Sequence, residues 1–388
     1  MSTTLIRNLG DIVTGDLDHP LADADAILVV DGVVGEVGTT QTSADNVIDA
    51  NGLTLTPGLV DGHTHPVFGD FSPTQASVGW METYLHGGTT TIVSAGELHL
   101  PGLPMSGPEP KLYRYLAVLA RRCFATYRPG GMKVEAGTML LTPGMREMDF
   151  EELAEEGCQL VKFIFFPYDQ HMDEAITYRR WAKEHGLIVK IHSGGVSRSG
   201  VSRPAGAAVI ARLQPDIVGH ATGGPIPMPF EELQETMEHT SAFLEVAYAG
   251  NPRWTRDFVR LVRERGMLER ITVGSDTPSG TGTTPRAMLQ TVAMIASLGD
   301  VGAAEALCLA SGNTARAHGL DTGFIRPGAP ADLLLMGRVT GANGRNLLVS
   351  LSQGDMPGIS MVFVDGVPLV RDRSLQTPPP ERLATFVT

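Results

Sequence analysis

A (β/α)8 TIM-like barrel carrying a small β-sandwich domain built from both termini is the α/β fold class this sequence predicts, on three observations. Strand-length apolar runs alternate with helix signals through the middle of the chain. Both ends carry short strands and hairpin turns instead. The middle stretch also has the size of such a barrel, about 250 residues. The expected boundaries are 1–56 for the first part of the β-sandwich, 57–323 for the barrel, and 324–388 for the second part with a C-terminal tail.

The terminal parts rest on turn chemistry. Ile27-Leu28-Val29-Val30 runs into Asp31-Gly32 and then Val33-Val34-Gly35-Glu36-Val37, a two-residue hairpin signal. Near the other end, Ile359 to Val364 runs into Asp365-Gly366 and Val367-Pro368-Leu369-Val370 in the same way. Thr377-Pro378-Pro379-Pro380 cannot enter a sheet interior, so a surface extension is expected there. In the middle, strands are expected at the run ending in Leu59-Val60-Asp61-Gly62, and at 89–93, 132–134, 159–164, 187–191, 217–218 and 271–273. Helix signals include Asp149 to Ala154 and Ala175 to Glu184, the latter stopped by Gly186. Strand–helix alternation with right-handed crossovers implies a parallel sheet. An open doubly wound sheet is the alternative, weakened because no G-x-G-x-x-G follows the first strand.

Composition narrows the function classes. The 388 residues carry a net charge of −13, which disfavours nucleic acid and anionic membrane as partners and leaves a small-molecule substrate. Cys123, Cys158 and Cys308 lack metal or disulfide spacing and read as structural. No secretory pattern and no apolar run of about 18 residues is found, so a cytoplasmic location is expected.

Of the eleven histidines, six read as ordinary. His86, His185 and His318 precede glycines at helix ends, where a cation complements the dipole. His19, His171 and His239 lie in polar stretches and are expected in solvent. His63 and His65 are different: alternate strand residues point the same way, so both rings can face one point at the barrel mouth. His192, His220 and Asp276 each end a further strand run. Residues at C-terminal strand ends line barrel active sites, so these five together predict a metal site. Lys162 lies inside an apolar strand, where a bare ammonium is costly. It either snorkels, pairs with Glu135, or is carboxylated by CO2 into an oxygen ligand. His99 and Glu97 lie near another strand end, with their register open.

Across nearly its whole length the chain resembles the amidohydrolase superfamily. The matching phrases are Pro57-Gly58-Leu59-Val60-Asp61-Gly62-His63-Thr64-His65, His86-Gly87-Gly88-Thr89-Thr90, Gly274-Ser275-Asp276 and Gly323 to Leu333. Within it, His192-Ser193-Gly194-Gly195, His220 to Pro225, Gly250-Asn251-Pro252 and Asp276 to Gly282 are most similar to the branch that opens cyclic enamides. The resemblance implies two divalent metal ions, zinc first with iron an option for one. His63, His65 and Asp276 would hold one ion and His192 and His220 the other, bridged by carboxylated Lys162. It further implies hydrolysis of a cyclic amide C–N bond by metal-activated hydroxide, with Asp276 as general acid and base. Arg198 and Arg203, in the loop after His192, are candidate substrate contacts together with His99. Deamination of a ring amidine is the alternative chemistry and a non-catalytic scaffold the alternative class. A homo-oligomer, tetramer or dimer, is expected.

Overall fold

The structure is a computed structural model that describes residues 2–104, 107–197, 200–224, 226–278 and 282–387. Its centre is a set of parallel strands: β1 (Leu59–Thr64), β2 (Thr89–Ser94), β3 (Lys133–Glu135, continued by Met139–Leu140), β4 (Leu160–Phe163), β5 (Ile188–His192), β6 (Ile217–Gly219), β7 (Phe243–Ala247) and β8 (Ile271–Gly274). Helices separate most of them, including Pro110–Thr126, Glu147–Glu155, Tyr168–Glu184 and Pro252–Glu264. β1 and β8 lie side by side at their C-terminal ends. Thr64 bridges Thr277 in parallel, and the Asp276 N–H donates to the His63 carbonyl at 2.8 Å. This is the (β/α)8 arrangement that the alternating pattern predicts.

The strand expectations hold to within a residue or two at each site named, with one omission. β7 was not foreseen, because its apolar run Phe-Leu-Glu-Val-Ala is interrupted by a carboxylate. The helix expected from Ala175 begins earlier, at Tyr168. Most strand side chains are buried, as expected for a parallel sheet covered on both faces.

Two further sheets are assembled from both ends of the chain. One orders Thr385–Phe386, Asn46–Asp49, Thr3–Arg7, Ile27–Val30 and Val33–Val37. The other orders Val367–Val370, Gly358–Val364, Leu333–Gly337, Thr54–Pro57, Ile12–Val13 and Leu21–Ala22. Ile6, Ile27 and Ile48 of the first share one apolar cluster with Leu55, Leu335 and Phe363 of the second. Both foreseen hairpins form. Asp31 and Gly32, and likewise Asp365 and Gly366, have positive φ, the backbone that a two-residue primed turn requires. The tail is more than a surface extension. Ser374 and Thr377 are buried, the Thr377 Oγ1 accepts from the Ile359 N–H, and Thr385–Phe386 adds an edge strand beside Asn46–Asp49. Pro380 makes one isolated antiparallel bridge with Val339, outside the regular strands. No helix among the described residues is long and apolar enough to cross a membrane.

Candidate metal centre

The side chains that converge come from the C-terminal ends of the strands. β1 projects His63 and, one step beyond, His65; their ring centroids lie 5.1 Å apart. Each ring has one nitrogen engaged by a protein acceptor. His63 Nδ1 lies 2.5 Å from Glu245 Oε1, and His65 Nδ1 lies 2.7 Å from the Gly96 carbonyl. Those partners assign the proton to Nδ1 in both rings and leave Nε2 as a lone pair. The two Nε2 atoms face Asp276 Oδ1, at 3.7 Å and 3.2 Å. His63, His65 and Asp276 offer ligand atoms all within 4.8 Å of one another, and all three are buried.

The second pair stands beside the first. His192, at the end of β5, gives Nε2 to the Gly195 carbonyl at 2.7 Å and turns Nδ1 toward His220 Nε2 at 3.0 Å. Two nitrogens about 2.9–3.4 Å apart can serve as neighbouring ligands of one ion at ordinary metal–nitrogen lengths. His220 lies beyond β6, its ring centroid 5.3 Å from that of His63. His220 and Asp276 both have left-handed backbone, with φ of 37° and 56°. For non-glycine residues this is uncommon, and such strain gathers at functional sites.

Lys162 Nζ, fully buried on β4, lies 2.8 Å from His63 Nε2. Burial and the neighbouring Lys190 lower its pKa to about 7. The pairing with Glu135 is not made: Glu135 binds Arg121 at 2.9 Å instead. Nor does the lysine snorkel, since it is enclosed in the barrel. Burial, with the Lys162 and Lys190 charges added, drives the His63 pKa well below normal. Burial likewise takes His192 to about 4 and His220 to about 3. All these rings are therefore neutral, the state a metal ligand needs. Burial alone would raise the Asp276 carboxyl, but the polar imidazoles of His65, His63 and His220 grouped around it hold it well below the usual range. The donor set thus fits one or more divalent cations: neutral imidazoles with aimed lone pairs, an ionised carboxylate and an enclosed amine.

The other candidates fare differently. His99 packs edge-on against His65, centroids 5.6 Å apart. Glu97 braces the mouth: its Oε1 accepts from Ser94 Oγ at 2.8 Å and from the Gly137 N–H at 3.5 Å. Arg203 is exposed and lines a cavity of about 530 Å³ with Tyr113, Phe165, His171 and Val196. Arg198 lies outside the described residues. His318 is fully buried, with a pKa pushed down by burial to about 4, so it is no helix-end cation. His171 sits inside a helix and pairs with Glu174 at 2.8 Å, rather than standing free in solvent.

Three buried groups escaped the sequence reading: Asp61, Lys190 and Glu245. Asp61 Oδ1 accepts from the His63 and Ser275 N–H groups, tying β1 to the end of β8. Lys190 carried the same signal as Lys162, a charge inside an expected apolar strand, whereas Glu245 lies on the strand that was not expected.

Residues 252–369 match the amidohydrolase family. The chain is 37% identical to enamidase of Eubacterium barkeri over 391 residues, covering 100% of both chains. The chain belongs to the amidohydrolase family. The solved structure of enamidase superposes on this amidohydrolase with a TM-score of 0.93 at 36% identity, covering 100% of each. Imidazolonepropionase of Salinispora arenicola is 42% identical over 102 residues, 24% of this chain and 26% of that one. An N-acetyl-D-glucosamine-6-phosphate deacetylase of Mycobacterium smegmatis shares the fold at a TM-score of 0.62 and 15% identity, over 95% of this chain and 100% of that one.

Proposed function

We propose that this amidohydrolase hydrolyses the C–N bond of a cyclic amide, of the enamide kind, at a centre built for two divalent metal ions. The observation that carries the proposal is the convergence of His63 Nε2, His65 Nε2 and Asp276 Oδ1 beside the enclosed Lys162 amine. Full-length likeness to enamidase supports the choice of substrate class.

His63, His65 and Asp276 would hold one ion, and His192 with His220 the other. When bound, divalent ions, zinc at both positions or iron at one, would supply Lewis acidity and acidify a water near neutral pH. Lys162, carboxylated, would supply an oxygen ligand between the two positions. Its Nζ attacks CO2, a C–N bond forms, and the nitrogen loses a proton to leave a carbamate anion. Support comes from charge: Lys162 and Lys190 are neighbours across the β4–β5 ladder, and Glu245 pairs with Lys190. Carboxylation removes the second buried cation. Asp276 takes the proton of the attacking water and passes it to the leaving nitrogen as the ring opens. His99, beside His65, and the loop arginines Arg198 and Arg203 meet the rest of the substrate.

The same reading takes the eight strands as a closed barrel spanning 57–323, with the terminal sheets as a β-sandwich of 1–56 and 324–388. It places the protein in the cytoplasm, in keeping with three unpaired cysteines. It also makes it a homo-dimer or tetramer. Leu112, Tyr115 and Leu119 support this, forming an exposed apolar stripe on Pro110–Thr126.

The test is metal analysis followed by ring-opening assays on a panel of cyclic amides, imides, lactams and ring amidines. Two ions per chain and turnover of a six-membered cyclic enamide are expected. Asp276→Ala should cut turnover by at least about 10²–10⁴-fold, the scale of acid–base catalysis, with an unchanged circular dichroism spectrum. Release of ammonia from ring amidines without ring opening would favour a deaminase and sink the proposal.

A further inference from the structure

Beneath the histidines lies a second layer of charge that ligand spacing does not explain. Glu245 on β7 and Lys190 on β5 are both fully buried, and their charged atoms lie 2.5 Å apart. The carboxylate does more than neutralise the lysine. Its Oε1 takes His63 Nδ1–H at 2.5 Å and the backbone N–H of His220 at 2.8 Å, so one oxygen reaches a residue of each ligand group. Oε2 takes Lys190, whose Nζ also donates to the Gly62 carbonyl at 2.8 Å, next to His63.

Space around the pair is fitted as closely as the bonds. At Gly274 a Cβ would stand 2.6 Å from His63 Cβ and 3.2 Å from Glu245 Cδ. At Gly219 a Cβ would stand 3.3 Å from both His63 Cε1 and Lys190 Cε. Two strands therefore present bare backbone where the ring and the ion pair pass. Burying an ion pair is often no gain in stability over apolar packing. Its retention here calls for another reason, and its contacts lead to the metal ligands.

We propose that Glu245 and Lys190 are a positioning pair: Glu245 fixes the tautomer and orientation of His63 and the backbone at His220, and Lys190 holds Glu245 in place. The inference rests on the metal-centre reading above. A carboxylate behind a metal-bound imidazole makes the ring more basic and fixes which nitrogen faces the ion, and its loss typically weakens metal affinity about 10–100-fold. Neither residue touches the substrate in this assignment. Both act through His63 and His220.

The experiment compares wild type, Glu245→Gln and the double variant Glu245→Gln/Lys190→Met by equilibrium dialysis against Zn²⁺ and by the visible absorption of Co²⁺-loaded protein. The double variant removes both charges at nearly constant shape, so its metal-free melting temperature should stay near that of wild type. Its affinity for the more weakly held ion should fall about 10–100-fold, with an altered Co²⁺ spectrum. Wild-type affinity and spectrum in a folded double variant overturn the proposal. Should the variants fail to fold, ¹⁵N-histidine spectra of the wild-type holoenzyme decide. A charge-assisted bond puts one Nδ1–H proton far downfield, and its absence overturns the proposal. A wild-type protein that binds no metal sinks the underlying reading instead, which the dialysis of wild type alone reveals.

Discussion

His63 shows how much of this site is decided one residue at a time. Its ring is held by Glu245 on one nitrogen and faces Lys162 and Asp276 with the other. Gly274 leaves it room. Adding a methyl group to a filled core costs about 1–3 kcal/mol. Gly274→Ala should therefore lower the melting temperature and weaken metal binding together. A thermal melt paired with metal titration checks this, and an unchanged affinity would mean that His63 gives way without losing its aim. His318 offers a second residue-level prediction, because its ring is buried with a pKa of about 4 against an ordinary 6.5. Between those values the unfolded chain binds a proton that the folded chain refuses. The stability tied to this ring is complete above pH about 6.5 and drains away toward pH 4, by roughly 1.4 kcal/mol per pH unit. Wild type should accordingly lose more stability than His318→Asn in denaturant titrations between pH 6.5 and 4.5. Parallel curves would contradict the shift.

At the scale of elements, strand ends do the placing. His63, His192, His220 and Asp276 were legible because each closes an apolar run, and in a parallel barrel such ends share one mouth. Glu245 was not legible, because β7 was not. A five-residue strand with an acid at its centre breaks the apolar run that marks a buried strand, and the acid is tolerated only because Lys190 and His63 meet it from other strands. The helix after β7 illustrates local control. Asn251 Oδ1 accepts from the N–H groups of Arg253 and Trp254, capping Pro252–Glu264, while its own N–H donates to the Thr222 carbonyl beyond β6. Asn251→Ala should destabilise the fold by about 0.5–2 kcal/mol in urea titrations. A loss under a few tenths would assign the helix start to Pro252 and tertiary packing alone.

For the whole molecule, the proposed metal centre would tie metal binding to the fold. Enclosing Lys162, Lys190, Glu245, Asp276 and neutral histidines in one core is costly to the metal-free protein, and ligand binding to the native state alone offsets that cost. Chelation should lower the melting temperature. Restoring metal at about 100 times its dissociation constant should return about 2.7 kcal/mol. Calorimetry of stripped and reloaded protein measures the difference, and identical melts would argue against a cation at this centre. The terminal sheets belong to the same scale. Thr54–Pro57 pairs with Leu333–Gly337 far along the chain, and Gly58 alone separates it from β1. The strand that opens the candidate metal centre is thus anchored by the sheet built from the C-terminal part.

Local physics carried the sequence a long way. Alternating apolar runs, paired Asp-Gly turns and two histidines at strand spacing are properties of short segments, and they determined the strand–helix order, both hairpins and the ligand candidates. What tertiary structure decided is which charges meet. Glu135 belongs to Arg121 rather than Lys162, His318 is an enclosed neutral ring, and Glu245 stands behind His63. A buried charge is stable only through partners brought from distant strands, and no spacing along the chain records which strands become neighbours.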